Sequence, residues 1–224
     1  MQKVLQTPLV LVPALGCDGR LYEPQLAAWQ GGVMAQLHVA REDRFAAMVA
    51  GLLAAAPAQF AILGTSMGAR LAIEVALAAP DRVKGLLVIG STAGGVADPA
   101  AGHRRTARLR NGELEGVLGD MARMISHGPG PRGEDTRAAF ITMGRLTGAA
   151  IMAAQSDALA HRAELWPRMA EIVCPTPACG GGKTSFHRWR MACGWRGRCA
   201  GAPMWNCLPA GIFRRLYIRT TALR

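Results

Sequence analysis

An α/β fold, with a mostly parallel sheet and helices on both faces, is what this 224-residue sequence predicts, and three observations predict it. Apolar runs of strand length alternate with stretches of helix length through about the first 94 residues, which is the pattern of strands joined by crossover helices. Proline or glycine punctuates most of the junctions. One junction, Gly64-Thr65-Ser66-Met67-Gly68, has the spacing of a sharp strand-to-helix turn that carries an exposed hydroxyl.

Taken in order, Pro8–Val12 is a short buried strand by its Leu and Val content. Pro13–Gly19 is a tight loop, and Leu21–Trp29, with Pro24 near its start, is a first helix. Val33–Ala40 returns as a strand. Phe45–Ala56 is an amphipathic to fully buried helix that ends at Pro57. Phe60–Leu63 is the next strand, Met67–Ala79 the next helix, and Pro80 stops that helix because its ring nitrogen cannot continue the hydrogen-bond ladder. Val83–Ile89 is a further strand. Alternation at this spacing argues for parallel pairing with right-handed crossovers. Functional sites in such sheets lie at the carboxyl ends of the strands, where Leu15–Cys17 and Ser66 fall.

The central turn carries the chemistry. A serine on so abrupt a bend has its backbone pushed into a strained region, so the residues at −2 and +2 must lack bulk; Gly64 and Gly68 meet that need. In return the hydroxyl projects from the sheet edge, beside the first amides of a helix, which stabilise a developing oxyanion. Ser66 is therefore read as a nucleophile.

Composition bounds the rest. Half the residues are hydrophobic and 5% aromatic, and no apolar run is long enough to span a bilayer. The N-terminus has no signal-peptide architecture, so a cytoplasmic protein with no membrane association is expected. The net charge of +11 is unevenly spread: residues 1–171 hold all 15 acids and 17 of the 26 Lys and Arg, whereas residues 172–224 hold nine bases and no acid. Five of the six cysteines and three of the five tryptophans also lie in that last segment. Two differently composed sequences are joined near residue 175.

The first 175 residues resemble the α/β-hydrolase family, close to its small bacterial esterase and lactonase-like members. The matching stretches are Leu9–Gln25, Gly64–Gly68 and Ala79–Leu86. Pro13-Ala14 stands where many members carry His-Gly, so the loop is a variant. The resemblance implies that the backbone N–H groups of Leu15 and Met67 form the oxyanion hole. It also divides the chain into a core (1–94), a helical cap insertion (95–170) and an aberrant basic Cys/Trp-rich tail (171–224) in place of the last core strands. Within 95–170 the sequence reads as a basic stretch Ala101–Arg110, a helix Glu113–Ser126, a loop Gly128–Gly133, and an Ala/Met-rich helical stretch Thr136–His161 broken near Gly144 and Gly148. Met121, Met124, Met143 and Met152 either line a substrate pocket or fill the core. The Arg104–Arg110 run either grips an anion or forms a solvated helix face.

Ala163–Thr176 again matches the family: a last cap helix, then the entry to the next core strand. The family pattern then implies an apolar strand ending in Gly-x-x-Asp, whose Asp is the triad acid, and later a Gly-His, whose His is the base. This sequence instead runs Pro177-Ala178-Cys179-Gly180-Gly181-Gly182-Lys183, and His187 comes too early to be the base. A frameshift near residue 176 accounts for both the lost pattern and the changed composition. Codons allowed for Thr176–Lys183, shifted one base, can spell Leu-Leu-Leu-Val-Val-Gly-Glu; those for Leu208–Phe213, shifted the other way, can spell Ala-Gly-Gly-His-Phe. Asp98, His103 and His127 are the other residues that could stand in for acid or base, and each reads equally as a surface residue.

Other uses of the tail are weaker. The spacings of Cys174, Cys179, Cys193, Cys199 and Cys207 contain no C-x-x-C, so neither a metal nor a cofactor is expected. Arg and Trp interleaved through Arg188–Arg198 suit single-stranded nucleic acid, but no recognisable module surrounds them. Three functions stay open: a serine hydrolase acting on a small-molecule carboxylic ester, lactone or thioester; a catalytically defective copy of one; and a basic nucleic-acid-binding module on a hydrolase-like core.

Overall fold

The computed structural model describes residues 5–29, 32–126 and 131–179. Five strands, β1 (Leu5–Val12), β2 (Val33–Leu37), β3 (Phe60–Thr65), β4 (Val83–Ile89) and β5 (Ala178–Cys179), form one sheet in the order β2-β1-β3-β4-β5. Every pairing is parallel, with Leu9 opposite Ala61, Ile62 opposite Leu86, and Val88 opposite Ala178. Parallel neighbours need crossovers, and three helices supply those among the first four strands: α1 (Glu23–Trp29), α2 (Phe45–Ala55) and α3 (Met67–Ala78). The chain steps from β1 out to β2, then returns to the other side of β1 for β3. The connections leaving β1 and β3 therefore diverge at the strands' carboxyl ends, the kind of switch point at which open α/β sheets bind ligands.

Strand alternation divides the core between the two faces. Val10, Val12 and Ile62 pack with Phe45, Met48 and Leu52 of α2 and with Leu71 and Val75 of α3. Leu9, Leu11, Ala61 and Leu63 pack with Tyr22 and Trp29 on the opposite face. Nearly the whole of α3 is buried, from Met67 through Ile73 and again at Val75 and Ala76. Each fully buried aliphatic side chain there contributes about 1.5–3 kcal/mol, so the helix behind Ser66 is the best-anchored element of the fold.

Four helices lie between β4 and β5: α4 (Pro99–Arg110), α5 (Leu114–Ile125), α6 (Pro131–Thr147) and α7 (Ala149–Ala160). Helix α4 packs along α7 and α5 along α6. Glu115 and Arg145 pair across α5 and α6 at 2.8 Å. Arg108 holds both Glu113 and Asp120, at 2.9 and 2.7 Å, Asp120 also pairs with Arg123, and Arg110 reaches Asp157 at 3.3 Å. The basic run of α4 is thus taken up largely by its own helical neighbours.

Several boundaries differ from the sequence expectations. Strand β2 ends at Leu37, although the His38 N–H still donates to Leu11 O of β1 at 2.9 Å. The first helix is preceded by a 3-10 turn, Gly19–Tyr22, capped by Asp18, whose Oδ1 accepts the Arg20 N–H at 2.9 Å. Pro131 and Gly133 belong to α6 rather than to a loop, proline being compatible with a first helical turn. Gly144 does not break that helix: it lets Leu118 approach so closely that a Cβ would sit 2.2 Å from Leu118 Cδ2. The break falls at Gly148 alone, at φ +80°. The expected last helix near Ala163 is a 3-10 turn, Trp166–Glu171. Residues 180–224, with His187, and also His127, lie outside the described residues.

Candidate active site

Ser66 follows β3 directly and N-caps α3 with φ 54° and ψ −112°. Among the described residues it is the one non-glycine with positive φ. Its amide donates to Ile89 O at 2.8 Å and its carbonyl accepts from Arg70 N at 3.1 Å, so the bend is pinned on both sides while the residue stays exposed.

The flanking glycines are required by contact. A Cβ on Gly64 would lie 2.2 Å from Gly68 O, and one on Gly68 would lie 2.1 Å from Val12 O and 2.5 Å from Pro13 O. The first turn of α3 is thereby pressed against the backbone that leaves β1. That close approach brings Ser66 and Met67 beside the Pro13–Cys17 loop.

The loop is a tight turn closed by Cys17 N donating to Ala14 O at 3.0 Å, with Gly16 at φ +71° in the position where a type II turn needs glycine. Leu15, the other central residue, is buried. Helix α7 holds this turn from above. Gln155, fully buried, accepts the Gly16 N–H at 2.9 Å through Oε1 and donates to Ala40 O at 2.8 Å through Nε2. Met152 packs on the same glycine, its Cε 2.9 Å from where a Cβ would be. From below, the Tyr22 hydroxyl donates to Val12 O at 2.7 Å and lies 3.0 Å from Thr65 Oγ1, which ties the ends of β1 and β3 together. Burial pushes the Cys17 thiol up to about 12, with Asp18 adding to the effect, so this sulfur is a neutral packing group rather than a rival nucleophile.

Arg70, one turn into α3, is buried to 1% exposure. Its Nε donates to Glu74 at 2.8 Å, Nη1 to Gly94 O at 3.1 Å, and Nη2 to Ala163 O at 2.7 Å, while the guanidinium lies over the Phe45 ring. One side chain therefore clamps both chain segments that connect α4–α7 to the sheet, since Gly94 precedes α4 and Ala163 follows α7.

The other candidates fall elsewhere. Asp98 N-caps α4, accepting the Ala101 N–H at 3.0 Å. His103 is exposed on α4 with its ring against His161. Among the described residues no side chain hydrogen-bonds Ser66 Oγ. Of the four methionines, Met143 and Met152 are buried and Met124 is 72% exposed. Gln155 and Arg70 are the positioning side chains that sequence reading missed. Each is a polar residue inside a largely apolar helix, Arg70 with Glu74 one turn on and Gln155 beside Ser156 and Asp157, which was the available signal.

No protein-family model matches the sequence, and no curated protein matches it. Solved structures do. An enol-lactonase from Burkholderia xenovorans LB400 superposes with a TM-score of 0.75 at 16% identity, over 84% of this chain and 80% of that one. MenH from S. aureus gives 0.62 at 16% identity over 80% and 77%, and a thermophilic esterase from Thermogutta terrifontis gives 0.64 at 18% over 77% and 70%. The chain has the α/β-hydrolase fold. Strand β3 runs directly into the Ser66 bend and α3, and the turn at Leu15–Gly16 follows the neighbouring strand β1. None of the described helices is long and apolar enough to cross a membrane.

Proposed function

We propose that this chain is a serine hydrolase whose Ser66 Oγ attacks the carbonyl of a small-molecule carboxylic ester, lactone or thioester. Attack forms the Oγ–carbon bond and opens the C=O to an oxyanion, which the N–H groups of Leu15 and Met67 receive at the positive end of α3. Collapse breaks the bond to the leaving oxygen or sulfur, which takes up the proton that Oγ gave up and departs as alcohol or thiol, and water then hydrolyses the acyl–Oγ bond to release the acid and restore the hydroxyl. The observation that carries the reading is the Ser66 backbone at φ 54°, held between two glycines that cannot bear a Cβ. Such strain persists where the surrounding structure overdetermines it, most often at functional sites. The lactonase and esterase activities named for the structural neighbours support the same substrate class.

A second reading, a catalytically defective copy produced by a slipped frame near residue 176, is favoured by a specific observation. Ser66 Oγ has no base among the described residues, and residues 172–224 contain no Asp or Glu to orient one. Without base and acid, the oxyanion amides and binding alone leave roughly 10³–10⁴-fold over water.

Hydrolysis of p-nitrophenyl acetate separates the two. Wild type is expected to exceed Ser66→Ala at least tenfold, and equal rates would end the serine chemistry. A gene restored to frame after codon 176 is expected to raise the rate by a further ~10³-fold or more. If the nucleotide sequence encodes no strand, acid or Gly-His in a shifted frame, the second reading fails.

A further inference from the structure

We propose that His103, Asp157 and His161 form a site for a borderline transition-metal ion of the Zn²⁺, Co²⁺ or Ni²⁺ class, joining α4 to the end of α7. One ligand atom from each residue lies within 4.8 Å of the others. Asp157 and His161 are one helical turn apart on α7, and His103 reaches them from α4 with its ring centroid 5.1 Å from that of His161. Four-coordinate Zn²⁺ with bonds of about 2.0–2.1 Å sets its ligand atoms about 3.3 Å apart. The three groups therefore close by at most about 1.5 Å, within reach of the two exposed rings turning about their side-chain bonds.

The chemistry of the set selects the ion. Two imidazoles and one carboxylate suit zinc, cobalt and nickel and disfavour calcium and magnesium, which take oxygen. His161 is already oriented: its Nδ1 lies 2.9 Å from the Asp157 main-chain carbonyl. A carbonyl only accepts, so Nδ1 carries the proton and the free lone pair is on Nε2. Metal-binding histidines are fixed by this same arrangement. The Asp157 carboxylate is half-buried and held by Arg110 at 3.3 Å. The ion must displace that guanidinium, so affinity rests on coordinate bonds and not on the local field. A bound ion cross-links the α4–α7 pair, which Ser156 also joins by bridging Thr106, Arg105 and Gly102 O.

Equilibrium dialysis of the full chain against Ni²⁺, with Zn²⁺ as competitor, tests the site. Free thiols bind such ions adventitiously, so the readout is a difference between variants. Wild type is expected to bind one ion more than the double variant His103→Ala, His161→Ala. Asp157→Asn is expected to weaken that ion by about tenfold or more, and millimolar Mg²⁺ or Ca²⁺ to leave it in place. Arg110→Ala keeps all three ligands and is expected to tighten binding several-fold by freeing the carboxylate. Coincident isotherms for wild type and the double variant overturn the site. Unchanged affinity in Arg110→Ala overturns it as well, and circular dichroism confirms that each variant is folded.

Discussion

Ser66 stores strain that no other described residue in this chain stores. A non-glycine at φ 54° and ψ −112° costs about 1–3 kcal/mol, while glycine at the same position adds about 0.5–1 kcal/mol of unfolded-state entropy to be lost. The balance predicts that Ser66→Gly is more stable than wild type by about 1 kcal/mol, or a rise of about 2–4 °C in Tm for a domain of this size, with the nucleophile gone. Thermal denaturation of the two proteins checks this, and a lower Tm in the glycine variant would show that the bend is relaxed. Legibility at this scale followed from sterics. Gly64 and Gly68 could be assigned from the sequence because the contacts that forbid a Cβ come from within the motif and from the adjacent strand. Gln155 could not, because its partners, Gly16 and Ala40, are 139 and 115 residues away.

Among the elements, α3 was legible because three signals agreed: the apolar strand before it, the G-x-S-x-G at its start and Pro80 after its end. Helices α6 and α7 were less so. Glycine that breaks a helix and glycine that admits a close neighbour look alike in sequence, and only the packing of Leu118 on Gly144 separates them. The link between the sheet and α4–α7 was also illegible, since Arg70 acts through the carbonyls of Ala93, Gly94 and Ala163, which no side-chain pattern encodes. Arg70→Ala leaves those carbonyls and Glu74 without their partner. Removing one member of a buried charged network costs about 3–5 kcal/mol, and Glu74, about one-fifth exposed, regains part of its loss from water, so about 3 kcal/mol is expected. Urea denaturation measures the loss. Hydrogen exchange adds the location, with protection expected to fall first at Gly94 and Ala163–Leu165; uniform loss across the sheet would mean that the clamp is merely core packing.

The molecule as a whole joins a parallel sheet, read correctly as α/β from period and punctuation, to a C-terminal segment whose composition breaks with it. The described pairing reaches Ala178 and Cys179 on the edge of β4, and residues 180–224, where the family pattern implies acid and base, hold no Asp or Glu and one histidine, His187, too early in the sequence for the base. Among the described residues, His38 governs how stability responds to pH near neutrality. Its ring follows β2, is half-buried, and leaves Nε2 without a partner. Burial lowers its pKa below the ordinary 6.5, and Glu42 nearby opposes that only in part. The unfolded chain therefore binds a proton that the folded chain resists. Stability is full above about pH 6.5 and declines as pH falls toward the depressed folded value, with a slope of at most about 1.4 kcal/mol per pH unit, reduced because water reaches part of the ring. The carboxylates held by arginine, Glu115, Asp120 and Glu171, have pKa values lowered from 4.5 or below, so their contribution disappears only in more acidic solution. Urea midpoints measured from pH 7 to pH 5 are thus expected to drop in wild type and to flatten in His38→Gln. A wild-type curve that is level or rises toward pH 5 would place the His38 ring in contact with bulk water, and with it the end of β2.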